Sequence, residues 1–280
     1  MLVVVMAVQS VLAQDAVLMR RTFKNDSVEQ FKVTTEMTVA FKADGEDFKS
    51  SSNLTNDRFL RYKVVDDKGD AAFSFEDSNY KGTEEVDGET TKIEDPESYD
   101  SAFTAKVNPL MVLTDIKDKA PAKPPSEEEA GESSIDLIFD SFDVGPLVYR
   151  LPEAAVKPGD TWKFELPSNN VFKPGQFVNG KFRGREKWND QDVLVIEYKT
   201  TADAVVDLAK FAGSGEEAEM MKNAELTGDL DDFTILYLDP KDFSILGTTE
   251  VETAHMHLKA DEFEMTYEIK WKEGTMRVVK

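Results

Sequence analysis

The chain of 280 residues contains no cysteine and only two histidines. Without cysteine there is no disulfide framework, no thiol nucleophile and no lipid-modified cysteine that would anchor the protein. The sequence also lacks a G-x-S-x-G elbow, a P-loop and a G-x-G-x-x-G turn, which are common signatures of hydrolases and nucleotide-binding proteins. We therefore expect a protein that is not an enzyme and that carries no cofactor.

Basic residues are much fewer than acidic ones. The chain has 33 lysines and arginines and 55 aspartates and glutamates, so the formal net charge is −22. Such a charge repels nucleic acid and anionic lipid surfaces, so nucleic-acid binding is excluded. The acid excess is typical of a soluble surface, and a cationic partner or calcium is the alternative. The segment that begins at Asp77 fails as an EF-hand loop, because Lys81 occupies position five and Gly88 position twelve.

Long hydrophobic runs are absent beyond the first 13 residues, which are uncharged and too short to span a bilayer. Small residues at Val11 and Ala13 predict a signal peptide over residues 1–13 that is cleaved between Ala13 and Gln14. We therefore expect a secreted or periplasmic protein of bacterial type with no integral membrane segment.

Short alternating segments separated by turns dominate the rest of the chain. Val28 to Phe41 combines alternation of apolar and polar residues with one slip, which predicts a long strand that can contain a bulge. Asp-Gly pairs at Asp44-Gly45 and Asp87-Gly88 are hairpin signals. This rhythm predicts an antiparallel meander, with an N-terminal β unit over residues 14–113 and a C-terminal β unit over residues 135–280.

Two segments interrupt that rhythm. Residues 114–134 are rich in proline and glutamate and predict a solvated loop or linker. Residues 135–142 and about 202–224 have apolar residues at helical spacing and predict short helices. The fold class expected is therefore α+β, predominantly antiparallel β, as a curved half-barrel-like meander sheet with short helices packed on one face.

The segment from Leu151 to Leu166 contains a Lys-Pro-Gly turn at residues 157–159 that leads into an alternating strand. Proline and glycine suit the two central positions of a type II turn. Residues 24–27, Lys-Asn-Asp-Ser, look like a degenerate copy in which Asn25 replaces Gly159 at the left-handed position. The repeat predicts two similar β units.

The motif L-P-x-x-x-V-K-P-G-D-T-W at residues 151–162, followed by Y-L-D-P-K-D-F-S-I-L at residues 237–246, resembles DUF6263-like exported bacterial proteins of unknown function. In general style this group is similar to half-barrel carriers of the LolA and LppX type, which carry lipoproteins and lipids. The resemblance implies a curved antiparallel sheet whose concave face is covered by short helices around an apolar cavity. This chain departs from that group by lacking a lipobox cysteine and by containing the proline-rich segment.

His255 and His257 would lie on the same face of a strand, because side chains alternate with period two. A third metal ligand would have to come from a neighbouring strand, for example from Glu250, Glu252 or Glu264. No closed ligand set is visible, so we expect two ordinary imidazoles and no metal.

The function expected is that of an exported, soluble carrier that binds an apolar or amphipathic ligand, such as a hydrophobic small molecule or lipid, in the bacterial cell envelope. Apolar helix faces would line its cleft; the candidate residues are Ile135, Ile138, Phe139, Phe142, Val205, Leu208 and Phe211. The alternative is a structural or interaction module that binds an envelope protein partner.

Overall fold

The computed structural model describes residues 15–43, 46–95, 103–118, 149–166, 173–206, 224–259 and 264–278. Twelve β-strands form one open antiparallel sheet, and these ranges contain no helix. The strands are β1 (Ser27–Ala43), β2 (Glu46–Val64), β3 (Ala71–Val86), β4 (Glu89–Asp95), β5 (Phe103–Val107), β6 (Leu113–Asp118), β7 (Thr161–Glu165), β8 (Phe177–Trp188), β9 (Gln191–Val206), β10 (Glu225–Leu238), β11 (Ile245–Lys259) and β12 (Glu264–Arg277).

The order of the strands is β6-β5-β3-β2-β1-β12-β11-β10-β9-β8-β7, and β4 pairs with the last part of β3. The two halves of the chain are therefore two meanders joined through β1 and β12. These two strands pair without interruption from Phe31–Arg277 to Ala43–Met265. The two predicted β units thus form one continuous sheet, and the predicted antiparallel meander is confirmed.

The predicted α+β class with helices packed on one face is wrong for the part of the chain that the structure describes, which is all β. Residues 202–206, expected to begin a helix, belong to β9 and pair with β10, with Val206 opposite Leu226. Ala202 and Ala204 are buried while Asp203 and Val205 are exposed, which is the period of a strand. Pairing with β10 thus outweighs the helix propensity of alanine.

Several expectations fall on residues outside the described ranges. These are the signal peptide, the predicted helix at residues 135–142 with its four candidate residues, and the candidates Leu208 and Phe211. The first residues of the predicted linker are described and belong to β6, which extends to Asp118.

Alternation along every long strand divides the sheet into two faces. The inner face includes Phe31, Leu60, Phe182, Ile196 and Leu230, none more than 3% exposed. The outer face carries mostly charged side chains, as in β8, where buried and exposed residues alternate. One-sided burial of this kind specifies the register, because a shift by one residue would exchange the two faces.

Three segments cross the inner face, and we call residues 15–26, 108–112 and 149–156 the crossing layer. Val17 and Val156 exchange two backbone hydrogen bonds of 2.8 and 3.0 Å, and the Leu151 amide donates to the Leu110 carbonyl at 2.9 Å. Met19 and Leu151 are completely buried in the hydrophobic core. The crossing layer therefore ties the beginning of each half of the chain to the sheet.

The turn chemistry of the repeated motif is largely as expected. Gly159 has φ +94°, and the Asp160 amide donates to the Lys157 carbonyl at 3.0 Å, as the predicted turn requires. In the earlier copy the left-handed residue is Asp26, with φ +53°, and the predicted role of Asn25 is wrong. The Ser27 amide and the Ser27 hydroxyl both donate to the Lys24 carbonyl, which closes this turn around Asp26.

Candidate ligand-binding face

A band of buried polar side chains crosses the middle of the inner face, and we call it the polar belt. Its residues come from seven neighbouring strands and none is more than 8% exposed: Thr35, Ser52, Asn56, Arg58, Asp77, Thr200, Asp232, Thr234, Thr248, Glu250, Glu252, Glu273 and Thr275. Strand register brings them together, because Glu273 pairs with Glu250 and Glu250 pairs with Thr234. Buried charge on this scale is rare in soluble proteins and needs hydrogen-bonding partners.

Apolar side chains lie on both sides of the polar belt along the strands. Toward the crossing layer, the inner face carries Phe31, Leu60, Phe75, Leu194, Leu236 and Leu238. Toward the opposite end of the strands it carries Ile269, Ala254, Leu230, Tyr267, Met256, Leu226 and Leu258. The inner face is thus amphipathic along the strand direction, in the order apolar, polar, apolar.

Arg58 is the central cation of the polar belt. Its Nε and NH2 atoms donate to the two carboxylate oxygens of Asp77 at 3.0 and 2.9 Å, and NH1 donates to Glu273 Oε1 at 2.7 Å. The guanidinium group also lies over the Phe75 ring, 4.9 Å from its centre. Planar, bidentate pairing of this kind suits arginine better than lysine.

Tyr149, the first residue of the third segment of the crossing layer, brings a hydroxyl group into the polar belt. This hydroxyl donates to Glu250 Oε2 at 3.4 Å, and the ring stacks on Tyr198 with centroids 5.7 Å apart. Burial raises the pKa of Tyr149 well above its ordinary value, and the nearby carboxylate of Glu250 raises it further. The phenol therefore stays protonated and acts as a hydrogen-bond donor at neutral pH.

Two polar atoms of the belt have no hydrogen-bond partner: Ser52 Oγ and Asn56 Nδ2. Both residues are on β2, four positions apart, and they are 5% and 4% exposed. Asn56 lies opposite a β-bulge of β3, because the pairing of β2 with β3 shifts between Thr55 and Asp57 and leaves both Asn79 and Tyr80 facing Asn56. Bulges are frequent beside functional sites.

The bulge is held from the outer face by Asp57. Its carboxylate contacts Lys32 Nζ at 2.7 Å and accepts hydrogen bonds from Asn79 Nδ2 at 3.0 Å and Gln30 Nε2 at 3.3 Å. Burial by itself would raise the pKa of Asp57, but the hydrogen bonds from Lys32, Asn79 and Gln30 together lower it. The ionised carboxylate thus fixes the backbone beside Asn56.

Of the seven predicted site residues, only Val205 lies in the described part, and the structure does not bring it to the inner face. Its side chain is on the outer face of β9 and is 39% exposed. Glu250 and Glu252 were considered from the sequence only as metal ligands, and the other residues of the polar belt were not identified as a site. The sequence did contain a cue to their burial. Asn56 and Arg58 occupy alternate positions of β2 in line with the apolar Leu60 and Tyr62, and alternate residues of a strand lie on the same face.

His255 and His257 lie on the same face of β11, as predicted, and that face is the outer one. His255 contacts Asp229 at 3.1 Å and Glu268 at 3.6 Å, while His257 contacts Glu264. Glu250 and Glu252 are on the opposite face and cannot join them. Among the described residues, no group of three or more histidine and carboxylate side chains could hold a metal ion.

Two surface grooves of about 860 and 660 Å³ are lined by described residues. The first crosses β2, β3, β5 and β6 beside Arg61 and Lys106, and the second passes His255 and His257. Neither is lined by a residue of the polar belt. In the described ranges, no helix is long and apolar enough to cross a membrane.

No family model and no curated protein matches the sequence. Several solved structures show distant similarity, and three of them are 9 to 11% identical to this chain. One describes lipid–protein interactions in lipovitellin, with a TM-score of 0.46 over 92% of this chain and 25% of that chain. The chain therefore spans about a quarter of the lipovitellin chain.

The second similar structure is a DUF1329 family protein from Desulfovibrio piger, with a TM-score of 0.18 over 87% of this chain and 84% of that chain. The third is an outer membrane lipoprotein-sorting protein domain from Vibrio parahaemolyticus, with a TM-score of 0.14 over 85% of this chain and 82% of that chain. These neighbours include the kind of sorting domain to which the sequence motifs were compared, but membership of the DUF6263-like group is not established. Similarities at these TM-scores assign neither a fold family nor a function.

Proposed function

We propose that this protein is a non-catalytic binding protein or carrier for an apolar or amphipathic ligand, which it holds on the inner face of the sheet. The observation that carries the proposal is the apolar, polar, apolar order along that face. Sites for small molecules are mostly apolar with a few placed polar groups, and the inner face has this composition.

The acidic character of the chain supports a soluble carrier with no direct attraction to anionic membranes, since the net charge is −22. Together with the predicted signal peptide, this favours action in the periplasm or outside the cell. The polar belt contains no cysteine or histidine, and its arginine is held between carboxylates, which favours binding over catalysis.

The test is to purify the protein from its own host and analyse it by native mass spectrometry, followed by organic extraction. We expect an amphiphilic molecule to accompany the folded protein. The extracted protein should then bind a neutral apolar fluorescent probe such as N-phenyl-naphthylamine. A protein that arrives without any ligand and fails to bind the probe would overturn the proposal.

A pair of substitutions on β11 locates the binding face. Leu258 is on the inner face, and Val251, on the same strand, is 46% exposed on the outer face. Leu258→Gln should weaken probe binding by about tenfold, because a buried amide without a partner opposes an apolar ligand. Val251→Gln should leave binding unchanged, and equal effects of the two variants would place the probe elsewhere.

A second candidate function is a protein-interaction module, which is favoured by apolar side chains on the outer face. Phe233 and Val251 are directly opposite each other on β10 and β11 and are 40% and 46% exposed. The stacked rings of Trp188 and Tyr237 lie on the same face, with centroids 4.5 Å apart. Capture of a specific envelope protein that is lost in Phe233→Lys but kept in Leu258→Gln would support this function.

A further inference from the structure

The larger of the two surface grooves, about 860 Å³ in volume, is basic although the whole chain is strongly acidic. Two acidic side chains, Asp26 and Asp115, line it together with four basic ones: Arg61, Lys63, Lys106 and Lys117. We call it the basic groove. Its volume is typical of small-molecule sites, and none of its residues belongs to the polar belt. It is therefore a candidate site that is separate from the inner face.

The sizes of neighbouring side chains explain the shape of the basic groove. Arg61 is opposite Ser74 and Lys63 is opposite Ala72, so long side chains of β2 stand beside short ones of β3. Lys106 of β5 is opposite Ala72 from the other side. Directly opposite residues share a face of the sheet, and the exposure of Lys63 and Ala72 shows that it is the outer one. The short residues thus form a floor between two walls that carry basic side chains.

A β-bulge brings the fourth basic side chain to the basic groove. The pairing of β5 with β6 shifts after Thr104, where one residue of β5 faces two residues of β6, Asp115 and Ile116. Asp115 has a positive φ angle of 55°. Because of the extra residue, Lys117 rather than Ile116 is opposite Thr104 and joins it on the outer face. Bulges at sheet edges redirect side chains in this way.

Two of the four cations are not engaged by carboxylates. Arg61 and Lys106 each have a carboxylate partner, at 3.4 and 2.9 Å respectively. Lys63 and Lys117, by contrast, form no ion pair with another residue in the described part of the chain. They are on β2 and β6, and β3 and β5 lie between them. The two lysines therefore face the floor of the basic groove from opposite sides.

The chemistry of the basic groove suits an anion with several oxygen atoms. Ser74 and Thr104 place hydroxyl groups on the floor, where they can donate hydrogen bonds. Carboxylates and phosphates accept such bonds, and hydrogen bonds from lysine to these groups are strengthened by charge. A ligand with two acidic groups could contact Lys63 and Lys117 together.

The net charge of −22 weakens this attraction but does not cancel it. At physiological ionic strength, exposed charges more than about 8 Å apart are largely screened from each other. An anion inside the basic groove therefore responds mainly to the side chains that line it.

We propose that the basic groove binds a small organic anion that carries two or more carboxylate or phosphate groups. Lys63 and Lys117 are its cationic contacts, and Ser74 and Thr104 donate hydrogen bonds to it. This second site is on the outer face, and it does not depend on the binding function proposed for the inner face.

The test measures binding to the full chain by calorimetry at about 50 mM salt, where exposed charges are weakly screened. Propane-1,2,3-tricarboxylate represents carboxylates and fructose 1,6-bisphosphate represents phosphates, with glycerol and fructose as their uncharged counterparts. We expect at least one anion to bind with a dissociation constant of about 1 mM, because several exposed ion pairs act together. The uncharged counterparts should not bind, and added salt should weaken the binding of the anion.

Substitutions assign the binding to the basic groove. Lys63→Gln and Lys117→Gln should each weaken it by about threefold, and the double variant by about tenfold. Lys157→Gln is the matched control and should keep full affinity, because Lys157 is exposed outside the groove and also has no ion pair with a described residue. These exposed substitutions should leave the midpoint of thermal unfolding unchanged.

Binding of either anion alone supports the proposal and identifies the acid that the basic groove prefers. If neither anion binds, or if Lys157→Gln weakens binding as much as Lys63→Gln does, the proposal is overturned. Binding of hexaglutamate without binding of either small anion would also overturn it, in favour of an acidic protein partner. The neutral fluorescent probe reports separately on the inner face, so failure of one site is distinguishable from failure of the other.

Discussion

Arg58 and Glu273 are 215 positions apart in the sequence, and their side chains form a buried ion pair of 2.7 Å across strand β1. Both side chains are 7% exposed, and Arg58 holds Asp77 on its other side. This pair joins the N-terminal and C-terminal meanders on the face where the proposed ligand lies. It is one of the contacts that make the two halves a single sheet.

Replacing Arg58 by methionine should destabilise the protein strongly, by about 3–5 kcal/mol, because two buried carboxylates would lose their shared cation. The measurement is the free energy of unfolding in urea at neutral pH. Arg61→Met is the matched control, since Arg61 is exposed on the same strand and pairs with Glu76 at 3.4 Å. That variant should cost at most about 1 kcal/mol. If both variants lost the same free energy of unfolding, burial of the Arg58 ion pairs would not make them more important for stability than an exposed pair.

Gly180→Ala should destabilise the protein by about 1–3 kcal/mol through overpacking. An added Cβ would lie 2.4 Å from Cε2 of the Trp162 ring, and the indole nitrogen of Trp162 is fixed by donation to the Arg150 carbonyl at 3.0 Å. Thermal unfolding provides the measurement. At Gly274 a Cβ would meet only Thr34 Oγ1 at 3.2 Å, so Gly274→Ala is the control and should have a smaller effect.

Asp57 should contribute to acid sensitivity. Its folded-state pKa is lowered, so its stabilising contribution is complete above the unfolded pKa near 3.8 and is lost as the pH falls through the folded value. Asp57→Asn should therefore be less stable than the native chain near pH 6, and the difference should shrink below about pH 4. Urea unfolding across this range tests the prediction, and a difference that stays constant with pH would contradict it.

The assignment of faces on β9 and β10 can be tested with two truncations. Leu230 is fully buried on the inner face, and Leu230→Ala should cost about 2–5 kcal/mol because it leaves a cavity. Val205→Ala, on the exposed outer face, should change the free energy of unfolding by less than about 0.5 kcal/mol. A large loss at Val205 would favour the original hypothesis that this side chain faces the core.

Zinc should not stabilise the protein, because no group of three or more histidine and carboxylate side chains among the described residues could hold a metal ion. Thermal unfolding with zinc at about 100 μM should give the same midpoint as the metal-free protein. A rise in the midpoint that disappears in a His255→Ala, His257→Ala double variant would contradict this expectation.

Most strands and turns could be predicted from the sequence, because they depend on residue types and spacings within a few neighbouring positions. The Asp87-Gly88 hairpin was predicted from residue type, and both residues have positive φ angles of 51° and 85°. The segment beginning at Ala202 misled the prediction because its alanines suit a helix, whereas pairing with β10 determines its structure. The partners of Arg58 and Glu250 could not be foreseen, because Glu273 and Tyr149 are distant from them in the chain.

By itself, the amino-acid sequence determined the alternation of the strands, the positions of the turns and the absence of thiol chemistry, since these depend on residue types and short spacings. Only the tertiary structure decided that β1 and β12 unite the two halves, and that Arg58 of one half meets Glu273 of the other on the buried face. The reason is physical: a strand has two faces and two edges, and the long-range pairing decides which residues meet on the buried face.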